Sequence, residues 1–376
     1  MASLQPSLKI GLLGGGQLAR MLALKGHELG FEMHALSTLS QDPVAQVVQH
    51  HHLGEMGKLQ DLQKFLQVVD VITFESEFLD AELLQQAAQT TKKSSAIWPH
   101  PLTMGVLQDR LSQKNILLAS NLPTLPFAPI ESLQQAEEFL LKNKRGIVLK
   151  QRRFGYDGYG TFHAKSAKEL QTQFHHWGHN IPPLIAEPRC AFQRELAISF
   201  CRNRSGQVIS FPLVESKQVN SRCLWVKGPC QHRQILSLSK KIKKFLKKID
   251  YVGCIAFELF DTGKDLLINE IAPRVHNSAH YSLDALSLDQ FSAHLMAIAD
   301  FDLSTPQSYS KGFAMINLLG KSDKSPAWGK LDDVRLHWYG KNSNRPGRKM
   351  GHLTALATTP EKALTKVKSA ERTFQL

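Results

Sequence analysis

The sequence predicts an α/β protein that begins with a parallel sheet and continues into mixed α+β elements. Three observations support this prediction. The first hundred residues alternate strand-like and helical segments, the pattern changes to β-hairpins and helices from Gly146 onward, and the chain of 376 residues is too long for one ordinary core. With 42% hydrophobic residues, we expect two or three domains, each with its own core.

The first hundred residues contain four predicted strands and two predicted helices. The strands are the apolar segments at residues 8–13, 31–36, 68–74 and 96–98, and the helices occupy residues 17–29 and 81–89. Strands that alternate with helices form a parallel sheet with right-handed crossovers. A proline-marked segment at residues 99–129, with one helix around residues 107–119, is a predicted linker into a second unit.

The rest of the chain combines strands with helices and shows no internal repeat. A strand is predicted at residues 146–150, a hairpin turn at residues 261–264, and short strands after Phe313. The lysine-rich residues 240–248 carry apolar side chains at helical spacing. An amphipathic helix therefore explains this segment better than a nucleic-acid patch.

Composition narrows the compartment and the partners. The net charge of +13, from 46 lysines and arginines against 33 aspartates and glutamates, suits nucleic acid, a membrane surface or phosphorylated small molecules, and it can equally serve solubility alone. The five cysteines form no CxxC pair, which argues against disulfides and a zinc site. No signal peptide or apolar run of about 18 residues is present. We expect a cytoplasmic protein without a membrane or nucleic-acid partner.

A glycine turn follows the first predicted strand. Residues 14–19 (GGGQLA) satisfy the dinucleotide pattern G-x-G-x-x-A, which makes a nicotinamide-dependent oxidoreductase one candidate. That function needs an acidic residue at the end of the second strand, and residues 35–38 (ALST) contain none. Glycines at a helix N-terminus also suit a phosphate, so we predict phosphate binding there, with a turn without a ligand as the alternative.

Two further segments place polar groups at strand ends. Glu75 and Glu77 follow a strand at the edge where open α/β sheets bind ligands, although a solvated loop explains them better when they are taken alone. Residues 152–160 contain three glycines beside two arginines, and Lys150 ends the preceding strand. This loop predicts backbone amides that close over phosphates, because a simple hairpin turn leaves the basic cluster unexplained.

The strongest chemical signal is a pair of carboxylates inside one apolar hairpin. Glu258 and Glu270 lie in the segments AFELF and LLINE, on either side of the turn at residues 261–264. Two buried carboxylates lose solvation and repel each other, and a divalent cation removes both problems. Together with Asn269 they form an oxygen donor set that suits Mg²⁺ on nucleotide phosphates. The alternative is an ion pair with Arg274 or a lysine.

Basic and polar side chains crowd two more segments. Residues 273–280 (PRVHNSAH) follow the hairpin directly and predict an anion or transition-state site. Residues 345–352 (RPGRKMGH) predict a phosphate clamp, with a solvated charge run as the alternative.

The order of these motifs resembles the 5-(carboxyamino)imidazole ribonucleotide synthases, the ATP-grasp ligases of bacterial purine synthesis. The matching stretches cover nearly the whole chain and are GLLGGGQLARM, VITFESE, DRLSQK, GYDGYG, FELF, INEIAPRVHNSAHY, HWYGK and RPGRKMGHL. The resemblance implies an ATP-grasp fold with an N-terminal Rossmann-like domain (residues 1–105), a small lid subdomain (106–185), a large subdomain with the metal site (186–310) and a small C-terminal β-rich region (311–376).

The resemblance also implies the reaction. ATP, bicarbonate and 5-aminoimidazole ribonucleotide would give 5-carboxyaminoimidazole ribonucleotide, ADP and phosphate through carboxyphosphate. The implied cofactor is Mg²⁺, with two ions expected and Mn²⁺ as a substitute, and the implied assembly is a homodimer.

Site residues follow from the resemblance, motif by motif. The implied metal ligands are Glu258 and Glu270, and the implied bicarbonate and carboxyphosphate site is formed by Arg274, His276 and Asn277. The implied ATP contacts are Arg110, Lys150, Gly155, Tyr156, Asp157, Gly158, Tyr159, Gly160, Thr161, Glu187, Pro188, Arg189, Cys190, Glu195, Gln218, Asn269 and Glu270. The implied substrate contacts are Gln17, Glu75, Tyr156, Asp157, Lys341, Arg348 and Lys349.

The chain departs from the family pattern mainly in the glycine loop and after the fourth predicted strand. Phe154 replaces a glycine, Tyr159 a basic residue and Thr161 a glutamine. Ser76 and Phe78 replace asparagines, and Gln218 stands where a histidine is common. Because the metal and anion residues are intact, we predict that activity is retained, at a full or reduced rate. The alternatives are another ATP-grasp ligase, such as a formate-dependent glycinamide ribonucleotide transformylase, the oxidoreductase, and a non-catalytic basic binding protein.

Overall fold

A computed structural model describes residues 8–91, 96–155, 159–219 and 221–376. The first unit contains five strands, which are β1 (Lys9–Leu13), β2 (Glu32–Ser37), β3 (His50–Leu53), β4 (Val71–Phe74) and β5 (Ala96–Ile97). They form one parallel sheet in the order β3-β2-β1-β4-β5. Three helices accompany it, α1 (Gln17–Glu28), α2 (Leu59–Val68) and α3 (Ala81–Thr90). The predicted parallel sheet is confirmed.

Two elements of this unit, β3 and α2, were not predicted from the sequence. The edge strand β3 has the sequence HHHL, which has no apolar run to reveal it. Helix α2 buries Leu62, Phe65 and Leu66 against the sheet, and Val68 is its last residue. The strand predicted at residues 68–74 was therefore too long at its start, because the apolar side chains of the helix end run directly into those of the strand.

The linker contains two helices where one was predicted, α4 (Pro101–Gln108) and α5 (Arg110–Ala119). They are separated at Asp109, whose carboxylate accepts hydrogen bonds from the backbone N–H groups of Leu111 and Ser112 at 2.9 and 3.2 Å. An aspartate that caps α5 in this way starts a new helix and fixes the direction of Arg110, its first residue.

A small antiparallel sheet follows. Its elements are β6 (Ala128–Ile130), α6 (Leu133–Leu141), β7 (Ile147–Gln151), β8 (Thr161–Ala164), α7 (Ala167–Trp177) and β9 (Leu184–Pro188). The strand order is β6-β9-β7-β8. Both helices pack on this sheet, and Ile147, Leu149 and Leu170 are fully buried between the two layers.

The remaining strands form one nine-stranded sheet. They are β10 (Arg194–Arg202), β11 (Val208–Ser210), β12 (Val214–Val219), β13 (Arg222–Gly228), β14 (Gly253–Asp261), β15 (Leu266–Ala272), β16 (Gly312–Leu319), β17 (Arg335–Trp338) and β18 (Lys349–Ala357). Their order is β15-β14-β10-β12-β13-β16-β18-β17, and β11 also pairs with β10. The C-terminal strands thus continue the large sheet through the β13–β16 pair.

Four helices and one short 3-10 turn (Asn277–Ala279) belong to this part of the chain. The helices are α8 (Ile235–Lys248), α9 (Ser282–Ala285), α10 (Gln290–Ile298) and α11 (Pro360–Glu371). The lysine-rich α8 buries Leu238, Ile242 and Phe245, so the predicted amphipathic helix is confirmed. All five cysteines are free thiols, as predicted. No helix among the described residues is long and apolar enough to span a bilayer.

Candidate active site

The main cleft, with a volume of about 1470 Å³, lies where the three sheets meet. It is lined by predicted site residues that are far apart in sequence. These are Gln17, Glu75, Arg110, Lys150, Gly155, Tyr159, Thr161, Glu187, Pro188, Arg189, Cys190, Glu195, Gln218, Glu258, Asn269, Glu270, Arg274, His276, Asn277, Lys341, Arg348 and Lys349. Gly160 ends the loop beside Gln151, whose side chain would contact a β-carbon at this position. Tyr156, Asp157 and Gly158 lie outside the described residues.

The two predicted metal ligands face each other across the β14–β15 hairpin. Glu258 is paired directly with Glu270 in the antiparallel register. Burial and the neighbouring carboxylates of Glu270 and Glu195 raise the pKa of Glu258 to about 7, despite the positive charges of Lys150 and Lys349. With the amide oxygen of Asn269 next to them, the donors are all hard oxygens. A divalent cation such as Mg²⁺ fits this donor set, because its charge would offset the repulsion between the carboxylates that raises the pKa of Glu258.

The carboxylate of Glu270 does have a basic partner. Arg110 Nη2 lies 2.9 Å from Glu270 Oε1, whereas Arg274 forms its ion pair with Glu77. The alternative of an ion pair with Arg274 is therefore wrong, because the basic partner of Glu270 is Arg110. Glu258 Oε1 lies 3.6 Å from Nε2 of the neutral His276. The charges of Lys150 and Lys349 offset part of the rise in the pKa of Glu258 without a hydrogen bond to it. The positive charge in the site thus balances one carboxylate of the pair more than the other.

A buried carboxylate between two lysines forms the opposite wall. Glu187 forms ion pairs with Lys114 Nζ at 2.5 Å and with Lys150 Nζ at 2.6 Å, and its side chain is only 2% exposed. Burial alone would raise the pKa of Glu187, but the two ammonium groups outweigh it and hold the pKa at about 2. Lys150 Nζ also donates to Asn269 Oδ1 at 3.1 Å, which connects this wall to the β14–β15 hairpin. Lys114 lies in the DRLSQK stretch, but its pairing with Glu187 was not predicted from the sequence.

The histidine of the predicted anion site is neutral. Burial, together with the charges of Arg274 and Lys349, lowers the pKa of His276 well below its usual value. Its Nδ1 atom lies 2.9 Å from Ser278 Oγ and accepts from the Ser278 backbone N–H at 3.4 Å. We therefore assign the proton to Nε2, which points toward Glu258. Gln290 holds the residue on both sides, since its side chain accepts from the His276 N–H at 2.8 Å and donates to the His276 carbonyl at 2.9 Å.

The Gln290 contact had no sequence signal, because the residue lies in the apolar helix α10. Asn277 has a similar fixed position. Its side-chain amide exchanges two hydrogen bonds with the buried Asn317, at 3.0 and 2.8 Å. His276 and Asn277 are thus held by amide side chains from other elements, which keeps them oriented toward the cleft.

The glycine turn binds an anion, but the anion is a side chain of the protein itself. The carboxylate of Glu75 accepts from the Gly16 N–H at 2.7 Å and from the Ala19 N–H at 3.1 Å. A β-carbon on Gly16 would lie 2.7 Å from that carboxylate, which explains the glycine. The predicted phosphate position at the α1 N-terminus is thus filled by Glu75, because a carboxylate satisfies the same N–H groups and helix dipole. Next to it, Lys341 Nζ donates to Gln17 Oε1 at 2.6 Å.

Comparison with known proteins agrees with this geometry. Three family models match in order: a ribonucleotide synthetase preATP-grasp domain over residues 7–108, an ATP-grasp domain over residues 115–291 and a phosphoribosylaminoimidazole carboxylase C-terminal domain over residues 314–366. An N5-carboxyaminoimidazole ribonucleotide synthase of Synechococcus elongatus is 37% identical over 361 residues, which cover 94% of this chain and 90% of the relative. The chain belongs to the N5-carboxyaminoimidazole ribonucleotide synthase family.

Solved structures of the same family have the same fold. The Staphylococcus aureus N5-carboxyaminoimidazole synthetase complexed with ADP aligns with a TM-score of 0.88 at 27% identity, over 99% of both chains. The Aspergillus clavatus synthase in complex with ADP and 5-aminoimidazole ribonucleotide aligns with a TM-score of 0.85 at 26% identity, over 97% of this chain and 98% of that one. The predicted ATP-grasp fold is confirmed, and the chain is an ATP-dependent ligase. The oxidoreductase and transformylase alternatives are not supported.

Two of the departures from the family pattern contact each other at the base of the glycine loop. Phe154 has a left-handed backbone with φ of 63°, and its ring centroid lies 6.3 Å from that of Phe78. The next residue, Gly155, accepts from Arg110 Nη2 at 3.2 Å through its carbonyl oxygen. Arg110 thereby joins the loop base to Glu270, and the Phe78–Phe154 contact holds that base against the N-terminal domain.

We expect replacements of Phe154 to separate two contributions to the free energy of unfolding, the ring contact with Phe78 and the strain of the left-handed backbone. Phe154→Ala should lower the free energy of unfolding by about 1 kcal/mol, because it removes the ring contact and keeps a β-carbon at positive φ. Phe154→Gly loses the same contact but relieves the strain, so it should be about 1 kcal/mol more stable than the alanine variant. Urea unfolding of both variants, with the exposed Leu141→Ala as a control, measures the difference. Equal stability of the two variants would contradict the strained backbone.

Proposed function

We propose that this chain carboxylates the amine of 5-aminoimidazole ribonucleotide with ATP and bicarbonate, giving 5-carboxyaminoimidazole ribonucleotide, ADP and phosphate in purine synthesis. One observation supports this proposal above all. The Glu258–Glu270 pair stands between a wall of buried lysines and a neutral, oriented histidine, in the cleft of a chain that belongs to the synthase family.

The nucleotide would bind on the lysine side of the cleft. We assign Lys150 and Arg110 to its phosphates, and the strand end at residues 187–190 and Glu195 to its base and ribose. Arg110 is already oriented by the carbonyl oxygen of Gln151 at 2.9 Å and by Glu270. Because fixed cations need no reorganisation when charge moves between phosphates, this wall suits phosphoryl transfer.

When bound, Mg²⁺ at Glu258 and Glu270 would neutralise the charge of the transferred phosphoryl group, with Asn269 beside it. Two ions, with Mn²⁺ as a substitute, are our expectation. In the first step an oxygen of bicarbonate attacks the γ-phosphorus of ATP. The bond between the γ-phosphorus and the β–γ bridging oxygen breaks, and that oxygen leaves as part of ADP. Arg274 and the Nε2–H group of His276 would orient bicarbonate and then carboxyphosphate, because both offer donors and neither accepts a proton near neutral pH.

In the second step the substrate amine attacks the carboxyl carbon, either of carboxyphosphate or of CO₂ released from it. Phosphate leaves, and the amine loses a proton. We assign the ribonucleotide to the side of the cleft that carries Gln17, Glu75, Lys341, Arg348 and Lys349. Because the Glu75 carboxylate occupies the α1 N-terminus, the phosphate ester of the ribonucleotide would be bound by the basic side chains of residues 341–349 rather than by the glycine turn.

We expect ADP release in bicarbonate buffer to rise by at least about tenfold when 5-aminoimidazole ribonucleotide is added, because the acceptor consumes the activated carboxyl group. A coupled ADP assay with and without the ribonucleotide measures this, and a bicarbonate-free control separates carboxylation from plain ATP hydrolysis. Glycinamide ribonucleotide with formate is the comparison substrate. ADP release that ignores the aminoimidazole ribonucleotide would reject the proposal.

We also propose that the enzyme is a cytoplasmic homodimer, as the family resemblance implies. Light scattering coupled to size-exclusion chromatography gives its mass directly, and a single species of about 42 kDa, the mass of one chain, would contradict the dimer.

A further inference from the structure

A second group of potential metal ligands lies in the N-terminal sheet, away from the nucleotide cleft. Glu32 and His34 project from the same face of β2, and His50 is paired with His34 in the parallel register of β3. One ligand atom from each of these three residues lies within 4.8 Å of the other two. Glu32 is paired with Lys9 at the start of β1, so the group sits at the end of the sheet opposite to the Gly16–Glu75 contact.

The atoms converge on one point. Glu32 Oε1 is 2.9 Å from His34 Nε2 and 3.3 Å from His50 Nε2. The imidazole rings of His34 and His50 are stacked, with centroids 4.4 Å apart and planes 28° apart, so that their Nε2 atoms approach the carboxylate from the same side. A tetrahedral ion with ligand bonds of about 2 Å needs donor atoms separated by about 3.3 Å, which is close to both distances from Glu32 Oε1.

We propose that Glu32, His34 and His50 bind a divalent transition-metal ion, with Zn²⁺ the best match. Two imidazole nitrogens and one carboxylate oxygen are borderline donors that favour Zn²⁺, Co²⁺ or Ni²⁺ over Mg²⁺. With three protein ligands, a fourth position remains for water, and the half-exposed His50 gives an ion access from solvent. This site differs in ligand chemistry from the all-oxygen Glu258–Glu270 pair.

The surroundings support the ligand role of His34. This side chain is buried, and its second nitrogen, Nδ1, lies 3.1 Å from His52 Nε2. Metal-bound histidines commonly donate their other N–H to a fixed acceptor, and His52 is placed to accept it. The ring of Phe65 packs edge-on against His52 at 5.2 Å and shields it. The bound ion would tie the edge strand β3 to β2.

The competing interpretation is a carboxylate satisfied by hydrogen bonds alone. Lys9 Nζ also approaches Glu32 Oε1, at 3.5 Å, and could neutralise it without an ion. The two interpretations differ in the affinity for Zn²⁺. Only a metal site predicts that the protein binds Zn²⁺ and that this binding depends on both imidazoles.

The test is a calorimetric titration of the whole enzyme with Zn²⁺ in excess Mg²⁺, which occupies the oxygen donors of the cleft. We expect one zinc equivalent in the unmodified protein, weakened at least about 100-fold in His50→Ala and in His34→Ala and about tenfold in His52→Ala. His51→Ala is the matched control, because His51 projects from the other face of β3 to Ser37 and should leave binding unchanged. All these variants should keep their ADP-release activity if they fold.

His50 is half exposed, so His50→Ala should fold even if His34→Ala does not. As a second measure, Zn²⁺ should raise the melting temperature of the unmodified protein but not that of His50→Ala. Equal zinc affinity in these two proteins, or no zinc equivalent in the unmodified protein, would overturn the proposal and leave the hydrogen-bonded carboxylate.

Discussion

Glu270→Gln should abolish ribonucleotide-stimulated ADP release, with kcat reduced at least about 1000-fold, while the protein stays folded. The substitution keeps the shape of the side chain and a hydrogen-bond acceptor for Arg110, but it removes one of the two negative charges that would hold Mg²⁺. Stability should change by less than about 1 kcal/mol, because the Glu270 side chain is 32% exposed and its ion pair with Arg110 is partly screened by water. The ADP assay at several Mg²⁺ concentrations measures the loss.

Glu215→Gln is the matched control for this experiment. Glu215 lies on β12 of the same sheet, where its Oε2 atom is 3.6 Å from Lys227 Nζ, and it is not among the residues that line the cleft. Its replacement should leave kcat within about twofold of the original value. A fully active Glu270→Gln variant, or one with an unchanged Mg²⁺ requirement, would show that the metal assignment is wrong.

Glu187→Gln should destabilise the protein by about 3–5 kcal/mol at neutral pH. It leaves the ammonium groups of Lys114 and Lys150, which are 4% and 13% exposed, facing a neutral amide. Urea unfolding at pH 7, followed by circular dichroism, measures the change.

The same substitution predicts a specific pH dependence. The two lysines lower the pKa of Glu187 from about 4.5 to about 2 in the folded state, so its contribution of about 3 kcal/mol is present above pH 4.5 and is lost as the pH falls toward 2. The stability difference between the original protein and Glu187→Gln should therefore shrink over that range.

Glu137→Gln serves as the control for this pH dependence. Glu137 lies on α6, where its carboxylate accepts from Gln171 at 2.9 Å, and its replacement should change stability by no more than about 0.5 kcal/mol. A stability difference for Glu187→Gln that stays constant from pH 7 to pH 3 would contradict the charged lysine–glutamate arrangement.

Local patterns in the sequence were sufficient for several features. The turn at residues 261–264 and the apolar alternation around it place Glu258 and Glu270 in one hairpin. Their direct pairing, however, depends on a β-bulge between Glu258 and Leu259, because a regular register from the turn would place Asn269 opposite Glu258. The amphipathic spacing in α8 and the strand–helix alternation of the first unit are local in the same sense. The edge strand β3, with three consecutive histidines, and the capped break at Asp109 carry weaker local signals and were missed.

By itself, the sequence determined the parallel sheet, the carboxylate hairpin and the order of motifs that belongs to the synthase family. Only the tertiary structure decided which charges meet. Arg110 reaches Glu270 across 160 residues, while the nearby Arg274 pairs with Glu77. Glu75 fills the α1 N-terminus across 59 residues, at the position where a phosphate was predicted. Local periodicity specifies which face a side chain takes, but partners between separate elements depend on how those elements pack, and several candidate partners of the same charge are equivalent in sequence.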